Sequence, residues 1–378
     1  MPDPVYLDYA ATTPLRPEAR EAMLDVLSAR WGNPSSVHRW GREARAALED
    51  ARARFAAVIG AAPAEVFFTR GGTEADNLAV QGRGRVDAGP LACSAIEHKA
   101  VLSASKAAAG NADRLRVIPV DASGVVDVDA LTEIVRDQPP ALVSVMWASN
   151  EMGAVQPVRR IAEICAEAGV AFHSDAVQAL GKVPVRVDEV AVDLLAFSAH
   201  KLGGPRGAGV LFARRGTRLD PLLHGGGQER GLRPGTEDVA SAVAFAVAAE
   251  LAEAERAETM ARVAALRDRL EAGLCARIPA LRINAAGAPR LPTISNLSVP
   301  GADPEMLLMA LDVEGIAASS GSACSSGAVE PSHVLMAMGL PAEDAGPSVR
   351  FSLGRDTVEA EIDRVLEVFP QVVARVRM

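Results

Sequence analysis

The residue best suited to chemistry in this sequence is Lys201, which lies in the segment FSAHKLGG at residues 197–204. The apolar run LLAF at residues 194–197 predicts a buried strand just before it. A lysine delivered from a strand end into a cleft has a lowered pKa, because burial disfavours the charged amine. The neutral amine can form a Schiff base with a carbonyl compound, and pyridoxal phosphate (PLP) is the common carbonyl cofactor. Lys201 therefore predicts a PLP-dependent enzyme.

The second reactive candidate is Cys324, in the stretch SSGSACSSG at residues 319–327. Small polar residues and glycines surround it, which predicts an exposed loop, the setting that a reactive thiolate needs. The other cysteines, Cys93, Cys165 and Cys275, fit the usual pattern of small buried side chains. An accidental surface cysteine is the less favoured alternative for Cys324.

Two other predicted strands lead into polar segments. GGTEADN at residues 71–77 begins a helix, where backbone N–H groups and the Thr73 hydroxyl can bind a phosphate; a glycine turn with Thr73 as N-cap is the alternative. Asp175 follows a strand at residues 170–173 and can pair with a protonated pyridine nitrogen, while Gln178 can reach the phenolic oxygen. A helix cap is the ordinary role for such an Asp. Because Asp175 and Lys201 both end predicted strands, we expect them at the ligand-binding edge of one sheet.

Two further side chains have a functional and an ordinary interpretation. His98 follows a predicted strand at residues 91–95 and can stack on a cofactor ring and exchange protons, but a histidine with no role is equally consistent. Arg350, in a predicted strand, can bind a carboxylate in a bidentate manner, but it can also be a surface arginine on an edge strand.

Strand and helix signals alternate along the first two thirds of the chain, which predicts an α/β protein with a mostly parallel sheet between helices. The Ala- and Glu-rich stretch from residue 237 to about residue 275 predicts a long helical bridge into a second domain. The net charge of -9 argues against nucleic-acid binding, and no apolar run is long enough to span a bilayer. With no CxxC pair and no signal peptide, we expect a cytoplasmic protein with reduced thiols and no resident metal.

Taken together, these motifs resemble the group I cysteine desulfurases, in the class V aminotransferase branch of PLP fold-type I enzymes. The resemblance runs from Tyr6 to Gly354. Its most specific pieces are GNPS at 32–35, GTE at 72–74, EHK at 97–99, NEMG at 150–153, DAVQ at 175–178, SAHK at 198–201 and SGSAC at 320–324. It implies a large domain at residues 16–256 with a seven-stranded sheet, and a smaller α+β domain at residues 1–15 and 257–378 that carries Cys324.

The resemblance also implies a role for each matching residue. Lys201 is the Schiff-base lysine, Cys324 the persulfide-forming nucleophile and His98 a ring-stacking proton donor. The implied cofactor-binding residues are Gly72, Thr73, His98, Asn150, Asp175, Gln178, Ser198, His200, Lys201 and, toward the neighbouring subunit's phosphate, Thr236. The implied residues for the substrate carboxylate are Asn33, Asn150 and Arg350.

The implied activity is removal of sulfur from L-cysteine, giving L-alanine and a persulfide on Cys324. The protein is expected to be a homodimer that passes this sulfur to an acceptor protein for iron–sulfur cluster assembly or thiolation. Any contact with metal would then be transient and would occur when Cys324 meets a cluster scaffold protein. A selenocysteine lyase would use the same fold. An aminotransferase would have no use for Cys324, and a non-catalytic scaffold would not be expected to keep both Lys201 and Cys324.

Replacement of the proposed nucleophile gives the first prediction. We expect Cys324→Ala to abolish sulfide release from L-cysteine, because no thiolate remains to take the sulfur, while the cofactor still binds at Lys201. Sulfide production and the absorbance of the bound cofactor are the two measurements. Full sulfide production by this variant would overturn the assignment.

Overall fold

A computed structural model describes residues 4–320 and 331–377, so Cys324 lies outside the described residues. The described strands are β1 (Val5–Tyr6), β2 (Val66–Thr69), β3 (Leu91–Ser94), β4 (Leu115–Ile118), β5 (Leu142–Ser144), β6 (Ala171–Asp175), β7 (Leu194–Ser198), β8 (Gly209–Ala213), β9 (Arg282–Ile283), β10 (Ile294–Ser298), β11 (Ile316–Ala317) and β12 (Ser348–Ser352). The described helices are α1 (Pro17–Ala29), α2 (Arg39–Ile59), α3 (Gly72–Val86), α4 (Lys99–Ala109), α5 (Val128–Asp137), α6 (Val158–Glu167), α7 (Val239–Ala254), α8 (Arg256–Arg277), α9 (Pro304–Val313), α10 (His333–Ala337), α11 (Ala342–Ala345) and α12 (Glu359–Val376).

The largest sheet has seven strands in the order β2-β8-β7-β6-β5-β3-β4. The neighbours from β7 to β4 all run parallel, and β8 runs antiparallel to both β7 and β2. This confirms the predicted α/β class with a mostly parallel seven-stranded sheet. It also places β6 directly beside β7, so the ends of the Asp175 and Lys201 strands meet at one edge, as predicted.

Strand β7 shows why this sheet is apolar on both faces. Leu195 and Phe197 pack into the core that also holds residues of α2 and α7, whereas Leu194 and Ala196 pack into a second core with residues of α3 and α4. Successive side chains of a strand point to opposite faces, so a strand covered by helices on both sides needs a continuous apolar run. The LLAF segment before the site is therefore explained by burial alone.

A separate core forms in the last third of the chain. The antiparallel sheet β12-β10-β9 contributes Leu297 and Phe351, the helix α12 contributes Phe369, and Leu7 joins them from the N-terminal end. The pair β1–β11 runs parallel and connects the N-terminal segment to this part of the chain. The domain boundaries suggested by the sequence stay a prediction.

The N-terminal segment after β1 crosses the turn that carries the reactive lysine. The backbone N–H of Thr13 donates to the carbonyl of His200 at 3.0 Å, and that of Arg16 donates to Gly203 at 2.8 Å. The Arg16 guanidinium forms a bidentate ion pair with Glu255, with N···O distances of 3.1 and 2.8 Å. These contacts connect the turn that carries Lys201 to the N-terminal segment and, through Arg16, to Glu255.

Local sequence explains where several elements begin and end. Pro17 occupies the first turn of α1, and Gly60 ends α2 with a left-handed φ of 72°. Strand β5 is short, because its regular pairing ends at Ser144. The long helical stretch is two helices, α7 and α8, which meet at Glu255.

Two sequence interpretations were wrong. Thr73 is not the N-cap of α3: Gly71 holds that position, with a φ of 135° that disfavours other residues. Cys275 is exposed rather than buried, because it lies on the outer side of α8, whereas Cys93 and Cys165 are buried as predicted. Within the described part of the chain, no helix is long and apolar enough to cross a membrane.

The aromatic contacts between α2, β7 and α7 give a stability prediction. Phe55 is fully buried and its ring lies 5.4 Å from that of Phe197 and 4.9 Å from that of Phe245. We expect Phe55→Ala to lower the free energy of unfolding by about 3–5 kcal/mol, because it leaves a cavity in the core. Leu27, which is 57% exposed on α1, is the matched control, and Leu27→Ala should change the free energy of unfolding by less than about 0.5 kcal/mol. Urea denaturation measures both values, and an equal loss of stability in the two variants would contradict this packing.

Candidate active site

A cavity of about 200 Å³ opens at the carboxyl ends of β3, β6 and β7. Its lining residues are Gly72, Thr73, Asp76, His98, Met146, Ala148, Asn150, Asp175, Val177, Gln178, Ser198, His200 and Lys201. The structure therefore brings together every residue that the sequence suggested for cofactor binding except Thr236. The carboxyl edge of an open α/β sheet is where ligands bind, because the loops there diverge and leave a crevice.

Lys201 ends a 3₁₀ turn, Ala199–Lys201, that follows β7 directly. Its Nζ donates to the backbone carbonyls of Ala10 and Ala11, at 2.7 and 2.8 Å. Burial, followed by the positive charge of Arg350, lowers the pKa of Lys201 to about 8, although Asp175 and Asp8 act in the opposite direction. A substantial fraction of this amine is therefore neutral near neutral to mildly alkaline pH, as nucleophilic addition to a carbonyl requires.

Asp175 is the last residue of β6, and its Oδ1 accepts a hydrogen bond from Val177 N at 2.9 Å. Burial raises the pKa of Asp175, although the charges of His98 and Lys201 partly offset this. Ligand atoms of Asp76, His98 and Asp175 all lie within 4.8 Å of one another. A cation bound beside Asp175, such as a protonated ring nitrogen, would stabilise the ionised form of this carboxyl group against the cost of its desolvation.

Asp76 is a residue of the site to which the sequence gave no role. It is buried, and within the described part of the chain its Oδ1 has no hydrogen-bond partner. Burial, followed by the charges of Asp175 and Glu97, raises the pKa of Asp76 well above its ordinary value. The signal was present in the sequence: Asp76 lies four residues after Gly72, one turn along the same helix face.

The other end of the cavity is suited to an anion. Gly72 and Thr73 form the first turn of α3, whose N–H groups and dipole attract negative charge. A Cβ on Gly72 would lie 2.8 Å from Cγ2 of Val177, so only glycine leaves the backbone open at this point. Burial, with the charges of Lys201 and Arg206, lowers the pKa of His200 to about 4, so this lining histidine is neutral at working pH.

His98 is the N-cap residue of α4 and is exposed. Its Nδ1 accepts a hydrogen bond from Ala100 N at 3.1 Å, so a neutral His98 carries its proton on Nε2. The backbone thus selects one tautomer of a histidine at the cavity wall. Such a ring presents an N–H donor that can exchange a proton with a bound molecule.

The two side chains suggested for a substrate carboxylate lie in different settings. Arg350 is buried, and it donates to the carbonyl of Asn150 and to Oδ1 of Asp8, each at 2.8 Å. It contacts the cavity through Asn150 and is not a surface arginine. Asn33 is exposed, its Oδ1 accepts from Ser35 N at 2.9 Å, and it is not among the lining residues, so its role stays a prediction.

Thr236 is exposed on the loop before α7 and does not line the cavity of its own chain. The preceding segment is held by a buried ion pair between Arg52 and Glu229, with two N···O distances of 2.8 Å. Glu229 and Arg230 adopt positive φ angles of 46° and 56°. Such strained backbone persists only where surrounding contacts determine it, which is typical of segments with a functional position.

The residues on either side of the undescribed segment 321–330 contact neighbours of the site residues. Before it, Ser319 exchanges backbone hydrogen bonds with Arg350. After it, Ser332 donates its hydroxyl to Glu151, and His333 Nε2 lies 3.1 Å from the carbonyl of Glu97. Glu151 and Glu97 adjoin Asn150 and His98, so both flanks of the Cys324 segment are fixed beside the cavity.

Comparisons with known proteins agree with this geometry. A family model described as aminotransferase class-V matches residues 5–365. This chain belongs to the class-V aminotransferase family. It is 42% identical over 380 residues to a protein named cysteine desulfurase IscS from Dictyoglomus turgidum, with 99% of this chain and 95% of the relative covered. It is 43% identical over 376 residues to cysteine desulfurase NifS from Azotobacter vinelandii, with 99% and 93% covered.

Solved structures of similar chains agree with the class-V assignment. A structure described as a NifS-like protein superimposes with a TM-score of 0.91 at 35% identity, covering 99% of this chain and 100% of the other. A structure of SspA in complex with cysteine gives a TM-score of 0.80 at 32% identity, covering 94% and 100%. The chain is therefore a PLP-dependent cysteine desulfurase, as the sequence resemblance predicted; the selenocysteine lyase alternative is not favoured.

The cavity residues fit PLP on their own chemistry. The turn at Gly72 and Thr73 presents the N-terminus of α3 to the cavity, where a phosphate can bind, and Gly72 has no room for a side chain because a Cβ would lie 2.8 Å from Val177. Asp175 is a buried acid that can pair with a protonated ring nitrogen, and Lys201 supplies an amine of lowered pKa for the carbonyl carbon. One ligand with a phosphate, a basic ring and a carbonyl carbon would satisfy all three groups.

The lowered pKa of Lys201 can be measured in the cofactor-free protein. We expect the rate of Lys201 acylation, followed by peptide mass spectrometry, to rise with a midpoint of about 8 rather than 10.5, because only the neutral amine reacts. Arg350→Met should raise the midpoint, since that cation favours the neutral amine, but not to 10.5, because burial is the larger cause. Exposed Lys106 is the internal reference for reagent reactivity. A wild-type midpoint near 10.5 would contradict the electrostatics of the site.

Proposed function

We propose that this chain works as a homodimeric cysteine desulfurase in which Lys201 and Cys324 divide the chemistry. The observation that supports it most is the meeting of Lys201 and Asp175 at the ends of adjacent parallel strands in one cavity. The amine would hold the carbonyl carbon of PLP, and Asp175 would hold its ring nitrogen. Ser198, His200, Gly72 and Thr73 would hold the phosphate.

The cofactor, when bound, withdraws electrons from the substrate's Cα–H bond and so weakens the neighbouring C–S bond. Lys201 would be the base that takes the Cα proton of the substrate, since its lowered pKa leaves part of the amine neutral. His98 is the second proton carrier, because its Nε2 proton faces away from the backbone contact that fixes its other nitrogen.

Arg350 would bind the carboxylate of L-cysteine. Its guanidinium is already desolvated and is paired with Asp8 and the carbonyl of Asn150. A substrate carboxylate can replace one of these partners and gain a charge-assisted hydrogen bond without burying a new uncompensated charge. Asn150 is proposed to assist from the cavity wall, and Asn33 from the loop before α2.

Cys324 would take the sulfur. Its thiolate attacks the sulfur of L-cysteine, the substrate's C–S bond breaks as the S–S bond forms, and the carbon takes a proton and leaves as L-alanine. No external oxidant is needed, because the carbon is reduced as the sulfur becomes a persulfide. Cys324 follows Ser319 by five residues along the chain, and the backbone of Ser319 is hydrogen-bonded to that of Arg350.

The homodimer and the acceptor are further parts of this proposal. Thr236 is exposed on a loop fixed by the Arg52–Glu229 pair, which suits a residue that reaches the cofactor phosphate of a second subunit. The persulfide would then pass to an acceptor protein for iron–sulfur cluster assembly or thiolation. A cytoplasmic location fits this role, because the thiolate of Cys324 must stay reduced between turnovers.

The site of the sulfur tests the proposal directly. We expect one equivalent of L-cysteine, without added thiol, to leave one extra sulfur atom on the peptide that contains Cys324 and none on the peptide of Cys275. Cys275 is the control because it is an exposed cysteine with no role in the proposal. Cys275→Ala should keep the label, and Cys324→Ala and Lys201→Ala should lose it. Sulfur on Cys275, or alanine formed with none on Cys324, would contradict the division of roles.

A further inference from the structure

Lys182 is a second partly buried amine near the active site, and the mechanism above does not use it. It lines a narrow cleft of about 60 Å³ together with Lys201, Arg16, Glu255 and Leu353. Lys201 also lines the cofactor cavity, whereas Lys182 does not. The cleft and the cavity therefore lie on two sides of the Lys201 side chain, with Lys182 on the far side.

The backbone after β6 fixes this lysine closely. The N–H of Lys182 donates to the carbonyl of Ala179 at 3.0 Å. The preceding Gly181 has a left-handed φ of 71°, and a Cβ there would lie 2.8 Å from Cβ of Ala252 in α7. The turn before Lys182 therefore packs closely against α7, and its backbone hydrogen bond sets where the Lys182 side chain begins.

The Lys182 amine holds one end of an amide that faces the cofactor. Its Nζ donates to Oε1 of Gln178 at 2.8 Å, and Nε2 of Gln178 donates to the carbonyl of Ala10 at 2.9 Å. The same carbonyl accepts from Lys201 Nζ at 2.7 Å. Lys182, Gln178, Ala10 and Lys201 thus form one continuous chain of hydrogen bonds.

This chain favours one orientation of the Gln178 amide. A backbone carbonyl has only acceptors, and an ammonium group has only donors. Rotating the amide by 180° would set its oxygen against the Ala10 carbonyl, so that hydrogen bond would be lost, and its NH₂ group against the Lys182 amine, which cannot accept while it is protonated. With Lys182 present, the amide oxygen faces the cleft and the NH₂ group faces the side of Ala10 and Lys201.

A lysine is costly at this position, which argues that the amine has a purpose beyond packing. Burial, together with the charges of Lys201 and Arg350, lowers the pKa of Lys182 to about 7. The acid in the same cleft, Glu255, is engaged in its bidentate pair with Arg16. A methionine of similar length would fill this space without the electrostatic cost.

We infer that Lys182 is a positioning residue that holds Gln178 so that its NH₂ group can donate to the phenolic oxygen of the cofactor. The inference rests on the proposed function for the identity of that cofactor. It differs from a purely structural role, because a lysine that only supported the fold would affect stability and leave cofactor affinity unchanged.

The test is titration of the cofactor-free protein with PLP, followed by absorbance, in two variants of Lys182. We expect Lys182→Met to weaken PLP binding about fivefold, because the amide loses the partner that fixes it. Lys182→Gln keeps an N–H donor without the charge and should bind within about twofold of wild type. Thermal denaturation of the cofactor-free variants checks that they fold, and Lys182→Leu replaces the methionine variant if that variant does not.

A double-mutant cycle decides whether Lys182 acts through Gln178. In a Gln178→Leu background, we expect Lys182→Met to cause no further loss of PLP affinity. An equal loss in both backgrounds, or unchanged affinity in Lys182→Met, would overturn the inference while leaving the proposed function intact. Wild-type protein that failed to bind PLP would instead overturn the proposed function, so the two failures are distinguishable.

Discussion

The amine of Lys201 and the carboxyl group of Asp175 share a cavity from which much of the water is excluded, and the rest of the architecture keeps them there. They come from neighbouring parallel strands, β7 and β6, whose carboxyl ends meet because the strand order makes them adjacent. The N-terminal segment supplies the carbonyls of Ala10 and Ala11 that hold the amine. Burial pushes the pKa of the amine down and that of the acid up, so both lie closer to working pH than in water.

The sequence predicted this part of the site well, because the relevant signals are local. A buried strand, an alternation of strand and helix, and a polar residue at each strand end require only a few neighbouring letters to recognise. Strands β3, β6 and β7 lie within two residues of the predicted bounds. Once the sheet is parallel, residues that end different strands must meet, which is how Asp175, His98 and Lys201 could be placed together from the sequence.

The parts that the sequence did not predict depend on contacts between distant segments. Arg350 pairs with Asp8, which is 342 residues away in the sequence. The local sequence could not show whether Arg350 is a surface residue or a site residue, whereas this contact shows that it is a buried cation beside the site. Lys182 has an ordinary local sequence, and only the packing of the chain reveals that its amine is hydrogen-bonded to the side-chain amide of Gln178. The exposure of Cys275 is likewise set by which side of α8 faces the core.

The most direct test of the account is the product balance with L-cysteine in the presence of excess thiol, with alanine and sulfide measured in parallel. The account predicts equal amounts of alanine and sulfide, because Lys201 supports the chemistry at carbon while Cys324 removes one sulfur for each alanine released. Pyruvate and ammonia in place of alanine would contradict it, since they would mean elimination without sulfur transfer to Cys324.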